Sequence, residues 1–239
     1  MWIGNALWLD FVNTRYVDRE RPVDVLASFA ALVDWLAEAG ALPFDAAREA
    51  VERWERTPEG DEVLREAVAL RKALHGLAEA LAVGGDGSND AAAAASADGA
   101  ERREADAVQD AVDAINRVFR TCVSYAELSP PPELPDPEAP RASSFRRLMR
   151  PTDAHPRRLL ALVAESASDF LCGRGDATLV RRCGNPKCVL YFYDTTKNRH
   201  RRFCSATGCG NRVKAAARYR RVREAKGEGA AGSRAAEGE

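Results

Sequence analysis

Two pairs of cysteines near the C-terminus constrain this chain of 239 residues more than any other feature. Both pairs have the spacing C-x4-C, and fifteen residues separate the first pair from the second. Two such pairs can bring four thiolates to one tetrahedral ion, as in structural zinc sites. We therefore predict that one Zn²⁺ per chain is held by Cys183, Cys188, Cys204 and Cys209. Four sulfur ligands leave no coordination position for water, so the predicted zinc is structural and not catalytic.

The expected compartment favours a metal over disulfides. No segment has the eighteen or more apolar residues typical of a membrane helix, and the N-terminus lacks the basic region and cleavage site of a signal peptide. We therefore expect a cytoplasmic protein with no membrane partner, in which cysteines stay reduced. The two remaining thiols, Cys122 and Cys172, lie in apolar helical stretches, and we predict that they are small core residues.

The charges of the chain are strongly segregated. The net charge is −1, but residues 178–226 contain fourteen Lys and Arg against two acidic residues, a net charge of +12. The rest of the chain therefore sums to −13. This pattern indicates an acidic body that carries a basic surface for a polyanion, and the alternative is a basic face that serves only solubility.

The body, residues 1–176, is predicted to be mainly α-helical, because apolar residues recur in it at helical spacing. The predicted helices are Leu7–Thr14, about 23–39, one with Asp45 as N-cap, about 60–83, about 101–128, and one opened by Asp153 and Pro156. Residues 84–100 are rich in Gly, Ala, Ser and Asp, which predicts a disordered insertion. Residues 129–140 contain six prolines, which predicts an extended connector.

Residues 177–224 are predicted to form a small zinc finger. The stretch Val189–Asp194 is typical of a strand, Thr195–Asn198 of a turn, and Arg199–Phe203 of a returning strand, which together predict a β-hairpin. Strong helix formers follow from Asn211, and a knuckle, a hairpin and a helix are the layout of a treble-clef finger. Residues 225–239 are predicted to be a disordered tail. The aromatic run Tyr191–Tyr193 fits the core of the finger, with base stacking as the alternative.

The predicted terminal helix, which begins near Asn211, has an apolar seam with basic residues on both of its flanks. On a helical wheel Ala215, Tyr219 and Val222 share one seam, which we predict to dock against the finger. Basic residues lie on both flanks of this seam, and their charge far exceeds what four zinc thiolates could neutralise. Phosphate binding accounts for such an excess, because Lys and Arg gain affinity by releasing condensed counterions.

The signature Cys209-Gly210-Asn211-Arg212, with the first cysteine pair upstream, resembles the CGNR zinc-finger family. Those bacterial proteins usually join this finger to a helical ABATE domain, which is described as a proposed stress-induced transcription regulator, and Leu7–Thr14 resembles the opening motif of that domain. The resemblance implies the same four cysteine ligands. It also implies DNA contacts by six basic residues: Arg201, Arg202, Arg212, Lys214, Arg218 and Arg220. The charge pattern adds Arg199 and Arg221 to this set. Asn211 is expected to orient a thiolate, and Arg212 either to bind phosphate or to offset the charge of the zinc site.

We therefore expect a zinc-dependent, DNA-binding transcriptional regulator of the bacterial cytoplasm, associated with the nucleoid. Its partner is predicted to be duplex DNA, and the helical body is predicted to sense an effector or to form a homodimer. Two alternatives stay open at this point: a binder of structured RNA or ribosomes, and a finger that binds proteins. An enzyme is not expected, since His200 is the only histidine near the finger and no nucleotide-binding or catalytic motif occurs.

Overall fold

Helices form most of the described part of the chain, which in a computed structural model comprises residues 2–18, 20–83, 97–122, 124–129, 145–151 and 155–235. The helices are α1 (Leu7–Val12), α2 (Phe29–Glu38), α3 (Phe44–Trp54), α4 (Pro58–Val83), α5 (Ala97–Thr121), α6 (Arg158–Asp169) and α7 (Asn211–Ala235). The antiparallel strand pairs are β1 (Arg15–Asp18) with β2 (Arg21–Asp24), β3 (Ser124–Ser129) with β4 (Arg146–Pro151), and β5 (Val180–Arg182) with β6 (Tyr191–Tyr193). The predicted fold class, mainly helical with a small C-terminal finger, is confirmed. Across these ranges no helix combines the length and apolar character that a bilayer crossing requires.

The core of the body forms around α1 and α4. Trp8, Leu9 and Phe11 of α1 have no exposed surface, and neither do Leu74 and Leu77 of α4. The long helix α4 packs against α1, α2, α5 and α6, and α1 also packs against α6. Full burial of each such side chain contributes about 1.5–3 kcal/mol. The short first helix is therefore a central element of the core and not a terminal extension.

The helix predicted for residues 23–39 begins later than expected. The chain first forms β2, and α2 begins only at Phe29, where the Ser28 hydroxyl accepts a 3.1 Å hydrogen bond from a first-turn N–H. Asp24 explains the difference, because its two carboxylate oxygens each accept a 2.6 Å hydrogen bond from the buried guanidinium of Arg71. This contact fixes the end of β2 against α4, and the serine cap then starts the helix.

Two other helix boundaries were predicted wrongly. Asp45 is not an N-cap but lies in the first turn of α3, which begins at Phe44. The helix predicted for residues 101–128 ends at Thr121, and the chain then forms β3. Pairing with β4 along six residues overrides local helix propensity here, and the Thr121 hydroxyl donates to Val118 O at 2.9 Å in the last turn.

The segments predicted to lack regular structure are only partly described. Residues 84–96 of the predicted insertion lie outside the described residues, and residues 97–100 begin α5. Ser129 ends β3, and the rest of the predicted connector lies outside the described residues. The predicted tail is helical as far as Ala235, because its alanines continue α7, whereas residues 236–239 are outside the described range.

The hairpin of the finger contains one of its two predicted strands, because β6 lies within Val189–Asp194 but has a different partner. β6 pairs with β5, which precedes the first cysteine pair, and residues 199–203 form no strand. Asp194 holds this stretch as a loop, because its buried carboxylate accepts hydrogen bonds from Arg201 N at 2.9 Å and from Thr196 N at 3.0 Å. Arg199 in addition has φ +50°, which no strand residue adopts. The first cysteine pair consequently lies in the turn of the hairpin.

The finger packs directly on the helical body. Asn13, which follows α1, donates from Nδ2 to Tyr191 O at 2.7 Å and accepts from Tyr191 N at 2.9 Å. The side chain thus pairs with β6 as a neighbouring strand would. Farther along β6, Tyr193 N donates to Gly4 O at 2.8 Å, and Gly4 N donates to the buried Asp10 carboxylate at 2.7 Å. Tyr191 also belongs to the apolar cluster of the body, so the finger and the body share one core.

Candidate metal centre

Four cysteine side chains meet in one cluster, two from the β5–β6 turn and two from the segment between β6 and α7. The Sγ atoms of Cys183, Cys188, Cys204 and Cys209 all lie within 4.8 Å of one another. The Cys188 and Cys204 sulfurs are 3.8 Å apart, and the Cys204 and Cys209 sulfurs are 3.6 Å apart. A tetrahedral zinc ion with Zn–S bonds of about 2.3 Å places its sulfurs about 3.8 Å apart. The donor set and its spacing therefore fit one zinc ion with four thiolate ligands.

Disulfide bonds do not explain the cluster. All six cysteines are free, and the sulfur separations in the cluster are far longer than the 2.03–2.05 Å of an S–S bond. The two cysteines outside the cluster differ from each other. Cys122 is half-buried, as a core residue would be, but Cys172 is exposed and lies where the helical geometry ends, next to Gly173 with φ +93°. The prediction of a buried Cys172 was wrong.

Backbone hydrogen bonds shape both cysteine pairs. In the first, Cys183 N donates to Leu190 O at 2.9 Å, and Cys188 N donates to Asn185 O at 2.8 Å. Gly184 N donates to Arg202 O at 2.8 Å, and a Cβ at Gly184 would stand only 3.0 Å from that oxygen, which explains the glycine. In the second pair, the Ser205 hydroxyl accepts from Gly208 N at 3.0 Å. Residues 206–210 then form a short helical turn that carries Cys209 into α7.

The amide that contacts a sulfur is Asn185 and not Asn211. Asn185 is buried, and its Nδ2 donates to Cys209 Sγ at 3.3 Å. Asn211 is exposed and begins α7, and within the described residues its side chain makes no hydrogen bond to a sulfur. The predicted role exists, but another asparagine fills it, since the Asn185 amide lies inside the turn between the first two cysteines and reaches across the site. Cys204 N supplies a second N–H to sulfur, at 3.4 Å from Cys183 Sγ.

The cluster resists ionisation of all its thiols at once. Hydrogen bonds from the Cys188 and Cys204 thiols lower the pKa of Cys183 to about 2. The hydrogen bond to Cys183 in turn raises the pKa of Cys188 to about 12 and also raises the pKa of Cys204. A divalent cation supplies the charge that four close thiolates need, so metal binding here is coupled to proton release.

The aromatic residues of β6 belong to the interior. Tyr191 and Phe192 are 2% and 0% exposed, and Tyr193 is half-buried. Tyr191 meets His75 of α4 edge to face, with ring centroids 5.3 Å apart. The predicted core role is thereby supported, and the alternative of base stacking, which needs exposed ring faces, finds no support.

Arg201 is occupied by the protein itself. Its guanidinium lies over the Phe192 ring, with Cζ 4.3 Å from the centroid. Its Nε donates to Phe203 O at 3.1 Å, and its Nη2 donates to Cys204 O and to Ile3 O. The DNA contact at Arg201 stays a prediction, and in the structure the side chain joins the second cysteine pair to the N-terminal segment.

The other predicted contact residues lie at the surface. Arg199 is exposed but approaches Asp176, with Nη1 and Oδ2 3.6 Å apart. No ion pair within the described ranges involves the remaining six, all of which are exposed: Arg202, Arg212, Lys214, Arg218, Arg220 and Arg221. The seam of α7 that was predicted to dock against the finger faces solvent instead, because Tyr219 is 67% exposed and Val222 is 48% exposed. Val213 and Ala217 are the half-buried positions, so the finger packs on the opposite side of the helix.

Three residues of the site escaped the sequence analysis. Asn13, Asn185 and Asp194 each organise the finger through side-chain hydrogen bonds to backbone or sulfur. Burial alone would raise the pKa of Asp194, but hydrogen bonds from Thr196 and Arg201 hold that pKa below its usual value. One signal was available: Asp194 is one of only two acidic residues in the basic segment 178–226. Neither asparagine carries such a signal.

The fold and the site together define a class: a helical protein with a four-cysteine finger docked on its body. Residues 180–222 match the family of the CGNR zinc finger. Residues 5–174 match the ABATE family, whose description is "Putative stress-induced transcription regulator", and because this match spans more than half of the chain, the protein belongs to that family. A search of curated proteins finds no match. The predicted family and its two-part architecture are thus confirmed.

Proposed function

We propose that the protein is a zinc-dependent, DNA-binding transcriptional regulator. The description of its family names a transcription regulator, and its finger contains four cysteines whose arrangement fits a metal ion. The finer steps are our proposal: one zinc ion per chain, a finger of the treble-clef type, duplex DNA as the partner, and association with the nucleoid. The helical body would bind an effector or a second copy of the chain.

The observation that carries this proposal is the unpaired charge of α7. Six basic side chains of the helix are exposed, and none forms an ion pair in the described part of the chain: Arg212, Lys214, Arg218, Arg220, Arg221 and Arg223. Surface cations on stable proteins are commonly offset by neighbouring acids, but residues 178–226 contain only two acidic residues, Asp194 and Glu224. Phosphates of a nucleic acid would supply the missing counter-charge and release condensed ions.

The metal would act as a structural tie. When bound, zinc joins the hairpin to the start of α7 and contributes binding free energy to folding. The protein's own residues then set the direction of α7: Asn185 orients Cys209, and Arg201 links the second cysteine pair to the N-terminal segment. With four sulfur ligands no position is left for substrate or water. We accordingly propose a binding function and no catalysis.

The test is the salt dependence of DNA binding by the zinc-loaded, full-length protein. Fluorescence anisotropy with a labelled duplex of mixed sequence should show log affinity falling linearly with log salt, with a slope of about −0.9 per phosphate contacted. The variant Arg218→Gln should reduce that slope by about one. Arg174→Gln removes the same charge from an exposed site in the body, where the side chain is 76% exposed, and should leave the slope unchanged.

Competition separates the other partner classes. Duplex RNA of equal length should compete more weakly than duplex DNA, and preferential binding of RNA would refute the DNA proposal. A protein partner that is retained after nuclease treatment, together with salt-independent binding to DNA, would show that the finger binds proteins. Elemental analysis should find one zinc per chain, and removal of zinc by a chelator should abolish binding.

A further inference from the structure

The outward face of α7 carries apolar side chains. Tyr219 and Val222 are 67% and 48% exposed, and Ala215 on the same face is exposed as well. We call these three residues the outer ridge. Val213 and Ala217, by contrast, are half-buried, since α7 packs against the turn that carries Cys209. Apolar side chains that lie together at the surface, with polar residues around them, are typical of a surface that contacts another molecule.

The helix geometry places the outer ridge opposite the finger. At about 100° per residue, the ridge spans about 60° of the helix surface, and its centre lies about 170° from the midpoint between Val213 and Ala217. The ridge is therefore the part of α7 that projects farthest from the protein. Small side chains at Ala215 and Ala216 keep this part of the helix narrow.

Basic residues border the ridge on both sides. Lys214, Arg218 and Arg221 lie on one flank, and Arg212 and Arg223 lie on the other, all of them exposed. A second copy of α7 would bring these flanks against flanks of the same charge, which opposes pairing along this face. Two cationic rows with an apolar strip between them instead match the two phosphate backbones that border the major groove. That groove is about 12 Å wide and admits a helix of about 10–12 Å diameter.

We propose that the outer ridge enters the major groove and that Tyr219 and Val222 pack on the 5-methyl groups of thymine. This inference rests on the proposed function and deepens it by naming a base that the protein recognises. The thymine methyl is the apolar group on the base edges of the major groove. Duplex RNA offers neither this methyl nor an accessible major groove. A strip of three residues, one of them alanine, also gives little apolar area for insertion into a lipid surface.

The experiment removes the methyl group and nothing else. The zinc-loaded, full-length protein selects its preferred site from a random duplex library, and each thymine of that site is then replaced singly by deoxyuridine. At one or more positions the affinity should fall about fourfold, the effect of losing one buried methyl group. The double variant Tyr219→Ala, Val222→Ala should bind the thymine and deoxyuridine sites equally. Alanine preserves helix propensity at these exposed positions, and zinc content and circular dichroism verify the fold.

Arg218→Gln is the matched control for charge. It should lower the salt slope by about one and leave the ratio of thymine to deoxyuridine affinity unchanged. If every deoxyuridine site binds as tightly as its parent while binding stays salt-dependent, the inference is refuted and the proposed function survives. A selected site without preferred thymine, or binding to anionic phosphatidylserine vesicles that is lost in the double variant, would likewise overturn the inference. Absence of salt-dependent binding to any duplex would refute the proposed function itself.

Discussion

Replacing Asn13 by alanine should loosen the finger from the helical body. The Asn13 side chain is the polar contact that satisfies both backbone groups of Tyr191, with donor–acceptor distances of 2.7 and 2.9 Å. Asn13 is 5% exposed and Tyr191 is 2% exposed, so water has little access to the two groups that the substitution would leave unpaired. The first effect of Asn13→Ala is therefore two buried, unsatisfied backbone groups at the start of β6.

The magnitude follows from the cost of such groups. Each buried donor or acceptor left without a partner costs about 1–3 kcal/mol, so Asn13→Ala should lower the free energy of unfolding by about 2–6 kcal/mol. Domains of this kind are typically stable by only about 5–15 kcal/mol. Because β6 lies between the two cysteine pairs, the same change should speed the extraction of zinc by a chelator. The loss of stability and the loss of metal retention should appear together.

Urea unfolding at a fixed concentration of free zinc measures the effect, with tryptophan fluorescence as the signal. Gln109→Ala is the matched control, because its amide makes an exposed 3.1 Å hydrogen bond to Asp113 one helical turn away. Such a pair contributes about 0.2–0.5 kcal/mol. If the two variants lose the same small free energy, the reasoning that Asn13 joins the finger to the body is refuted.

Three further predictions concern single residues. Asn185→Ala should weaken zinc binding about 10–100-fold, measured by competition with a chelator, whereas Asn211→Ala at its exposed position should not; equal losses would restore the original role of Asn211. Burial lowers the pKa of His75 below its ordinary value of 6.5, so the folded state disfavours the proton and the free energy of unfolding should fall as the pH drops below 6.5. In urea unfolding across pH 5–8, His75→Phe should lose less of this free energy than the unchanged protein. Equal pH dependence of the two proteins would contradict this prediction. Arg201→Lys should lower the free energy of unfolding by about 1–3 kcal/mol, through lost hydrogen bonds to Phe203 and Cys204, and a changed salt slope for DNA binding would show that Arg201 contacts phosphate after all.

Local patterns sufficed for the parts of the protein that depend on neighbours in sequence. The spacing of the cysteine pairs predicted which four thiols lie together, because each pair is closed by contacts within its own turn, such as Cys188 N to Asn185 O. Apolar periodicity predicted the long helix α4 within two residues, since a helix on that scale is determined by its own buried stripe. The mainly helical class and the small finger follow from these two kinds of signal.

Contacts between distant residues could not be predicted in this way. The partner of β6 is β5, and pairing across a cysteine turn is indistinguishable in sequence from pairing with the residues that follow. The choice between Asn185 and Asn211 depends on which amide lies inside the turn, a matter of three-dimensional position. The wheel of α7 correctly grouped Ala215, Tyr219 and Val222, but periodicity identifies a stripe without showing whether it faces the protein or a partner.

The shared core limits how the body could regulate the finger. An effector can shift an equilibrium only through different contacts in the two states, and a finger on a flexible linker would receive little of such a signal. Here the Asp10 carboxylate accepts a hydrogen bond from Gly4 N, and Gly4 O accepts one from Tyr193 N of β6. Asp194, which follows β6, accepts a hydrogen bond from Arg201 N. Arg201 in turn contacts the carbonyl of Cys204. A displacement of α1 would therefore change the backbone next to Cys204, so in the proposed regulator the first helix is where a signal from the body would reach the second cysteine pair.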